Sequence, residues 1–176
     1  MFHNTKINRF DAYQQRLFAY ALAISNDSDL AADLLQDCVV RVMGARKVPK
    51  DEPAFRAWLF TIIRNLWRDH QRRNATARKA ADDLSVEATT TPVSMDTVIV
   101  NVVAVRSAFA QLSGDHRNIL ALVDVAGFGY EQAAGILDIP IGTVMSRVSR
   151  ARGVLANMLS DSSVAEISSS VRERRK

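Results

Sequence analysis

Apolar side chains recur at helical spacing in the first part of the chain and form three separate stripes. The first stripe contains Phe10, Tyr13, Leu17, Tyr20, Ala21 and Ile24. The second contains Leu30, Leu34, Leu35, Cys38, Val39 and Val42. The third contains Phe55, Trp58, Leu59, Ile62, Ile63 and Leu66. Because each stripe lies on one face of a helix, the pattern predicts three helices that share one core.

The third predicted helix also carries a row of arginines. Arg64, Arg68 and Arg72 recur every four residues and therefore project from one side of the helix, and Arg73 follows them. Such a row is typical of a solvated charged face, but it also suits the phosphates of a nucleic acid. The row alone leaves both interpretations open.

Three aromatic residues lie beside this arginine row. Trp58 is in phase with the apolar stripe and is predicted to lie in the core. Phe60 and Trp67 fall off the stripe, so we expect them to be exposed. Exposed rings next to cations suit single-stranded nucleic acid, because the rings stack on bases while the cations meet phosphates.

A polar segment separates this first block from a second one. Residues 75–97 are rich in Ala, Thr, Ser and Asp and contain Pro92, so they are predicted to form a linker, although a helix could continue from Ala75 to Leu84. Residues 161–176 are serine-rich and then basic, which predicts a flexible tail. This division predicts one domain over residues 1–74 and another over residues 98–160.

The second block begins with VIVNVVAVRSAFAQL, whose β-branched start is compatible with a strand. Its apolar side chains nevertheless keep helical spacing, so a helix is the prediction. These positions are Val98, Val102, Val105, Phe109 and Leu112. A shorter helix is predicted over HRNILALVDV, and Gly127 and Gly129 are expected to end it.

The segment YEQAAGILDIPIGTVMSRVSRARGVL predicts a helix-turn-helix. YEQAAGIL forms the first helix, DIP the turn, and the second helix begins near Pro140. The small side chain of Ala134 permits close packing, while Ile139 and Val144 fill the angle between the helices. Ordinary helical hairpins can show the same spacing, so the pattern alone leaves a purely structural role open.

The second helix of this motif carries the side chains that we expect to meet DNA. Thr143 lies in its first turn, where a hydroxyl and unpaired backbone amides can bind a phosphate. Ser146, Arg147, Arg150 and Arg152 follow and form a polar, cationic surface. We therefore expect this helix to lie in the major groove of duplex DNA.

Composition excludes several other classes of protein. The 176 residues carry a net charge of +4 and are 48% hydrophobic, which suits one domain or two small ones. Cys38 is the only cysteine and the three histidines are scattered, so we expect no disulfide, metal site or cofactor. Paired carboxylates, a phosphate-binding glycine loop and a nucleophile beside histidine are not found, which argues against an enzyme. No apolar run suggests a secretory signal or a membrane span, so we expect a cytoplasmic protein without membrane insertion.

Two long segments resemble one family of bacterial proteins. DLAADLLQDCVVRVM, followed by AFRAWLFTIIRNLWRDHQRR, is similar to region two of the extracytoplasmic function (ECF, group 4) sigma factors of RNA polymerase. LSGDHRNILALVDVAGFGYEQAAGILDIPIGTVMSRVSRARGVL resembles their region four. The resemblance implies an all-α fold of two small helical domains joined by a flexible linker. It also implies a monomeric transcription initiation factor that directs core polymerase to promoters and catalyses no reaction.

The resemblance further implies a role for particular residues. The helix over DLAADLLQDCVVRVM would dock on the clamp helices of the polymerase β′ subunit through Asp33, Gln36, Asp37 and Arg41, and region four would contact the β flap. The loop GARKVPKDEPAF would capture a flipped base of the minus-ten element, and the helix after it would meet the separating strands through Arg64, Asn65, Arg68 and Arg72. The minus-thirty-five element would be read by Ser146, Arg147 and Arg150, with Thr143 and Arg152 on phosphate.

The chain departs from the family pattern at two places. Asp138 stands in the turn where many members have Gly, although Asp tolerates the left-handed conformation. Met145 stands where many have Lys, so one contact to DNA would be missing. The family also implies a cognate anti-sigma factor as a partner. A sigma-like decoy that binds such a factor without acting at promoters is the alternative, and the retained arginines argue against it.

Overall fold

Two groups of helices make up the structure, a computed structural model that describes the backbone of residues 2–80 and 97–173 and the side chains of residues 6–77 and 103–160. The amino-terminal domain contains α1 (Phe2–Asp11), α2 (Gln14–Ser25), α3 (Ser28–Gly44) and α4 (Glu52–Ala80). The carboxy-terminal domain contains α5 (Thr97–Gln111), α6 (Gly114–Leu120), α7 (Tyr130–Leu137) and α8 (Ile141–Glu173), with a π-helical turn over Ala121–Val125 directly after α6. These two ranges contain no strand, which confirms the all-α prediction.

The first apolar stripe spans two helices, so the prediction of a single helix there is wrong. α1 ends at Asp11, and in the following turn the Tyr13 amide donates to the Phe10 carbonyl oxygen at 2.8 Å. The Tyr13 hydroxyl donates to Glu52 at 2.9 Å and its ring packs on Phe55, so α4 holds the turn in place. The apolar spacing runs through this turn without a break, and neither Gly nor Pro marks it.

α2, α3 and α4 pack around the apolar core of the amino-terminal domain. The buried side chains at its centre include Leu17, Leu34, Cys38, Phe55 and Leu59. Asp27 caps α3, because its carboxylate accepts hydrogen bonds from the backbone amides of Asp29 and Leu30. Burial raises the pKa of the Cys38 thiol to about 12, so this thiol stays protonated and serves as a small apolar side chain.

α7 and α8 form the helix-turn-helix that the sequence predicts, and α5 is a helix, as its apolar spacing indicates. The turn depends on Asp138, whose φ of 55° lies in the left-handed region. The Ile139 amide donates to the Ala134 carbonyl oxygen at 3.2 Å and closes the turn. Val144 and Val148 of α8 are buried, which leaves the opposite face of this helix toward solvent.

Two helices extend beyond the domain limits that the sequence predicts. α4 continues to Ala80, within the range over which the sequence allows a helix, and residues 81–96 of the predicted linker lie outside the described residues. α8 continues to Glu173, which differs from the flexible tail predicted over residues 161–176. Residues 161–173 contain neither Gly nor Pro, so nothing in them interrupts a helix that is already formed.

The two domains pack directly on each other. α2 lies against α6 and the π-helical turn, and α4 lies against α7. Buried apolar side chains from both domains form one continuous cluster. We refer to this packing as the closed arrangement, and it brings the arginine row of α4 next to the first helix of the helix-turn-helix.

Candidate nucleic-acid interface

Arg64, the first residue of the arginine row, points at the carboxy-terminal domain. Its two terminal nitrogens donate to the backbone carbonyl oxygens of Ile136 at 2.9 Å and Leu137 at 2.8 Å. These are the last carbonyls of α7, which have no partner within the helix and lie at the negative end of its dipole. Burial, and then the charge of Arg68, lowers the pKa of Arg64, but a guanidinium remains charged in proteins. Arg64 therefore caps the first helix of the helix-turn-helix.

Arg56, which the sequence reasoning missed, makes a second bond of this kind between the domains. Its guanidinium donates to the carbonyl oxygens of Ala126 and Gly127 and lies over the Phe128 ring, 4.0 Å from the ring centroid. Cation–π contact and charge-assisted hydrogen bonds thus act on the same side chain. Like Arg64, it binds backbone groups that are part of the carboxy-terminal fold.

The contact continues along α2. The Tyr20 hydroxyl donates to the Asn118 side-chain oxygen at 2.7 Å. Arg117 of α6 donates to the Ile24 carbonyl oxygen at 3.4 Å across the domain boundary, and to Ala110 and Leu112 within its own domain. Most of the polar contacts between the domains are therefore hydrogen bonds from side chains of one domain to backbone carbonyl oxygens of the other.

Phe60 is fully buried, so the prediction that it is exposed for base stacking is wrong for the closed arrangement. Its ring lies 5.3 Å from Tyr20 and meets Phe128 edge-on, with ring centroids 4.8 Å apart. The physical reason is that the face of α4 beside its own core stripe is covered by the other domain. Trp67, the second aromatic predicted to be exposed, is half-buried and stacks on His70. Trp58 packs against Phe55 at the edge of the core, as its phase predicts.

The remaining predicted minus-ten residues follow α4 away from the other domain. Arg68 and Arg72 are exposed, and Asn65 is half-buried. Arg41 of α3 lies 3.9 Å from the Asp69 carboxylate, so that acidic group is partly compensated. The arginine row is thus divided into Arg64, which faces the other domain, and later members that face solvent.

The four residues predicted to bind polymerase share the exposed face of α3. Asp33, Gln36, Asp37 and Arg41 are all exposed. The same face carries Val40, whose side chain is 70% exposed. Val40 lies outside the apolar stripe of α3, and this is the signal by which the sequence could have identified it. A single exposed apolar residue is common on protein surfaces, so Val40 adds an apolar group to this charged face without by itself marking a partner surface.

The exposed face of α8 carries the predicted minus-thirty-five residues. Arg147 forms an ion pair with Asp115 at 3.2 Å, and Arg152 forms one with Asp124 at 2.5 Å. Arg152 donates hydrogen bonds to the Asp124 carboxylate, which raises the pKa of Arg152. Arg150 is exposed and forms no ion pair with any side chain in the described ranges.

The two predicted minus-thirty-five residues with hydroxyls lie closer to the core. Thr143 and Ser146 are half-buried, and the Ser146 hydroxyl donates to the Thr143 carbonyl oxygen at 3.0 Å. Met145 is 55% exposed and places an apolar group on the solvent-facing side of α8.

A search of the described residues finds no group of side chains that could hold a metal ion. Among those same residues, no helix is both long and apolar enough to cross a membrane.

Family comparisons match both domains separately. The Sigma-70 region 2 model matches residues 9–77, and the Sigma-70 region 4 model matches residues 103–155. The amino-terminal domain therefore corresponds to region two and the carboxy-terminal domain to region four.

Individual relatives cover most of the chain. The ECF RNA polymerase sigma factor EcfG of Rhodopseudomonas palustris is 36% identical over 143 residues, 81% of this chain and 78% of that protein. SigL of Mycobacterium tuberculosis is 33% identical over 144 residues, 79% of this chain and 80% of its own. The sigma factor RpoE of Bartonella quintana, solved in complex with the anti-sigma factor NepR, has 30% identity and a TM-score of 0.69, covering 90% of this chain and 96% of that one. The chain belongs to the ECF sigma factors of RNA polymerase.

Proposed function

We propose that this sigma factor recognises promoters at two elements, the minus-thirty-five through α8 and the minus-ten through α4 and the loop before it. Its family directs RNA polymerase to specific promoters in transcription initiation. The observation that carries the proposal is the side of α8 away from the buried Val144 and Val148, where Arg150 is exposed and the half-buried Arg147 lies beside it. A helix-turn-helix presents this side of its second helix to the major groove.

Recognition of the minus-thirty-five element depends on guanidinium groups. Arg147 and Arg150 are one helical turn apart and can each pair with the O6 and N7 acceptors of a guanine. The ion pair between Arg147 and Asp115 is no obstacle, because Asp115 is largely exposed and surface pairs contribute little free energy. Thr143, at the first turn of α8, and Arg152, beside Asp124, are placed toward phosphates.

Recognition of the minus-ten element requires the two domains to separate. Arg68 and Arg72 face solvent and can bind the DNA backbone in the closed arrangement. Arg64 and Phe60 are engaged by the other domain and become available to DNA only when that domain moves away. Strand separation then needs no catalytic residue, because flipped bases exchange stacking in the duplex for contacts with the protein.

Binding to core polymerase uses the exposed face of α3. Asp33, Gln36, Asp37 and Arg41 supply charged and polar groups, and Val40 supplies an apolar centre. An anti-sigma factor is a further proposed partner, since the similar RpoE chain is in complex with NepR.

Run-off transcription on genomic promoter fragments tests this function. We expect core polymerase with the protein to give discrete transcripts that share two spaced upstream elements, and core polymerase alone to give none. Arg150→Ala should weaken promoter binding by about 1–3 kcal/mol, because one base-reading side chain is lost. Arg106→Ala is the charge-matched control, since Arg106 is exposed on α5, outside the two helices of the motif.

Two results would contradict the proposal. Equal losses with Arg150→Ala on the promoter and on a scrambled duplex would reduce Arg150 to a phosphate contact. Binding to core polymerase without any transcript would favour the decoy instead.

A further inference from the structure

The loop that joins α3 to α4 has both of its ends bound by cations from α1. At its start, the Lys6 ammonium donates to the Ala45 carbonyl oxygen at 2.8 Å and to Met43 at 3.5 Å. At its end, the Arg9 guanidinium donates to the Pro49 carbonyl oxygen at 3.0 Å and to Lys50 at 3.4 Å. We refer to Lys6 and Arg9 as the α1 brace.

Arg9 is itself held by the first turns of α4. Its guanidinium pairs with the Glu52 carboxylate through two hydrogen bonds, at 2.8 Å and 3.0 Å, and lies over the Phe55 ring, 3.9 Å from the centroid. The Tyr13 hydroxyl donates to the other oxygen of Glu52. Because Phe55 is buried in the core, the brace connects the loop to a rigid part of the domain.

Between these ends the loop exposes its two basic residues, while Val48 packs against the core. Arg46 and Lys47 are exposed, and no hydrogen bond or ion pair joins them to the described part of the chain. The loop contains no regular secondary structure, so the brace supplies most of the bonds that limit its backbone. The result is a loop with fixed ends and an accessible cationic tip.

We propose that Lys6 and Arg9 are positioning residues for minus-ten recognition, because they hold the loop in the shape in which its tip meets the DNA. This inference rests on the proposed role of the loop in capturing a flipped base. Neither side chain needs to touch DNA, since both act through backbone carbonyls of the loop. Lys6 lies before the residues 9–77 that match the region 2 model, so the family match does not include its contact with the loop.

Selection from a promoter library tests the inference. The full-length protein with core polymerase is given a promoter randomised across the minus-ten element, and the preference at each base is measured for Lys6→Met and Arg9→Met. We expect a preference of about tenfold at the captured base to fall to about twofold, while the minus-thirty-five preference is kept. Lys6→Arg and Arg9→Lys should restore part of the preference, because each keeps a donor and a charge.

Arg16→Met is the matched control, since Arg16 is an exposed cation on α2 outside the brace. Loss of a surface cation alone should weaken all promoters equally and leave base preference unchanged. Variants of the tip, Arg46→Ala and Lys47→Ala, test the loop itself. If they change base preference and the brace variants do not, the brace inference is overturned; if neither set does, the proposed role of the loop fails.

Limited trypsin digestion of the unbound protein provides a readout that does not depend on DNA. Trypsin cleaves after Arg46 and Lys47, so the rate of cleavage there reports how readily the loop backbone opens. We expect Lys6→Met to speed cleavage in this loop while circular dichroism shows that the helices are retained. Unchanged cleavage would show that the brace does not hold the loop. If Lys6→Met fails to fold, Lys6→Gln, which loses the charge and shortens the side chain, takes its place, and unchanged cleavage in that variant would overturn the inference.

Discussion

The two surfaces proposed to bind DNA differ in what holds them in the closed arrangement. On α4, Arg64 caps α7 and Phe60 is buried against Phe128, so both are engaged by the other domain. On α8, Arg147 and Arg152 pair with exposed carboxylates of their own domain. The α4 surface is therefore partly covered by the other domain, whereas the α8 surface carries ion pairs that lie at the protein surface.

This difference has consequences for the order in which promoter elements can be bound. Hydrogen bonds from a charged group contribute about 1.5–3 kcal/mol each, whereas exposed ion pairs contribute about 0–1 kcal/mol. α8 can therefore exchange its carboxylates for DNA without moving a domain. α4 can use Arg64 and Phe60 only after the domains separate, which agrees with the need for a partner such as core polymerase.

Phe128→Ala should have the largest effect, because it removes the ring that packs between the two domains. Phe128 is buried between Phe60 and the Arg56 guanidinium. We expect a loss of about 3–5 kcal/mol in the free energy of unfolding, typical of a truncated buried aromatic residue. Urea denaturation measures this loss, and small-angle scattering should show a larger radius of gyration as the domains separate.

Val125→Ala is the control for this variant. Val125 lies nearby in the π-helical turn but is 44% exposed, so its truncation should change stability by less than about 0.5 kcal/mol. If Phe128→Ala costs no more than Val125→Ala, the contact between the domains does not hold them together.

Much of the fold follows from the sequence because apolar spacing reports directly on which helix face is buried. The helix-turn-helix was predictable for this reason, whereas the left-handed turn at Asp138 was indicated only by the family resemblance, since many members have Gly there. The break between α1 and α2 was not, because the apolar phase continues through Tyr13 and the turn is fixed by Glu52 of another helix. A turn that depends on a distant residue leaves no local signal.

The candidate site was predictable only in part. The residues of α3 and α8 that the family resemblance implies do lie on exposed or half-buried faces. Phe60 and Arg64 were expected to face solvent, because periodicity distinguishes the core face of one domain from its other faces but does not show whether a second domain covers them. The sequence did contain one signal. Arg56, Phe60 and Arg64 share one face of α4 at four-residue spacing, and an aromatic residue between two arginines on one face indicates that this face packs against another part of the protein.

Arg64→Met tests the surface of α4 that the other domain covers, and its expected effect on stability is smaller than that of Phe128→Ala. The variant keeps an unbranched apolar stem but loses the two hydrogen bonds to the end of α7, so we expect about 1–3 kcal/mol less stability in the unbound protein. Arg68→Met is the matched control, four residues farther along the same helix and exposed, and it should change stability by less than about 0.5 kcal/mol. Chemical denaturation of both variants measures the difference. Equal stability of the two would mean that Arg64 contributes nothing to the closed arrangement.

Asp115→Asn should have the smallest effect, and it tests the exposed surface of α8. The substitution keeps the shape of the side chain but removes the charge that pairs with Arg147. Arg147 then has no ion pair to break before it binds DNA. We expect binding to a minus-thirty-five duplex to become tighter by about 0.2–1 kcal/mol, the range of an exposed ion pair, with little change in the stability of the unbound protein.

Glu131→Gln is the control. It makes the same change of net charge on α7, where no ion pair with an arginine is formed within the described ranges, and it corrects for long-range electrostatics. Fluorescence anisotropy with a labelled duplex at fixed ionic strength measures both variants. If Asp115→Asn binds no more tightly than Glu131→Gln, the pair does not compete with DNA. A loss of affinity would instead show that Asp115 orients Arg147 for the bases.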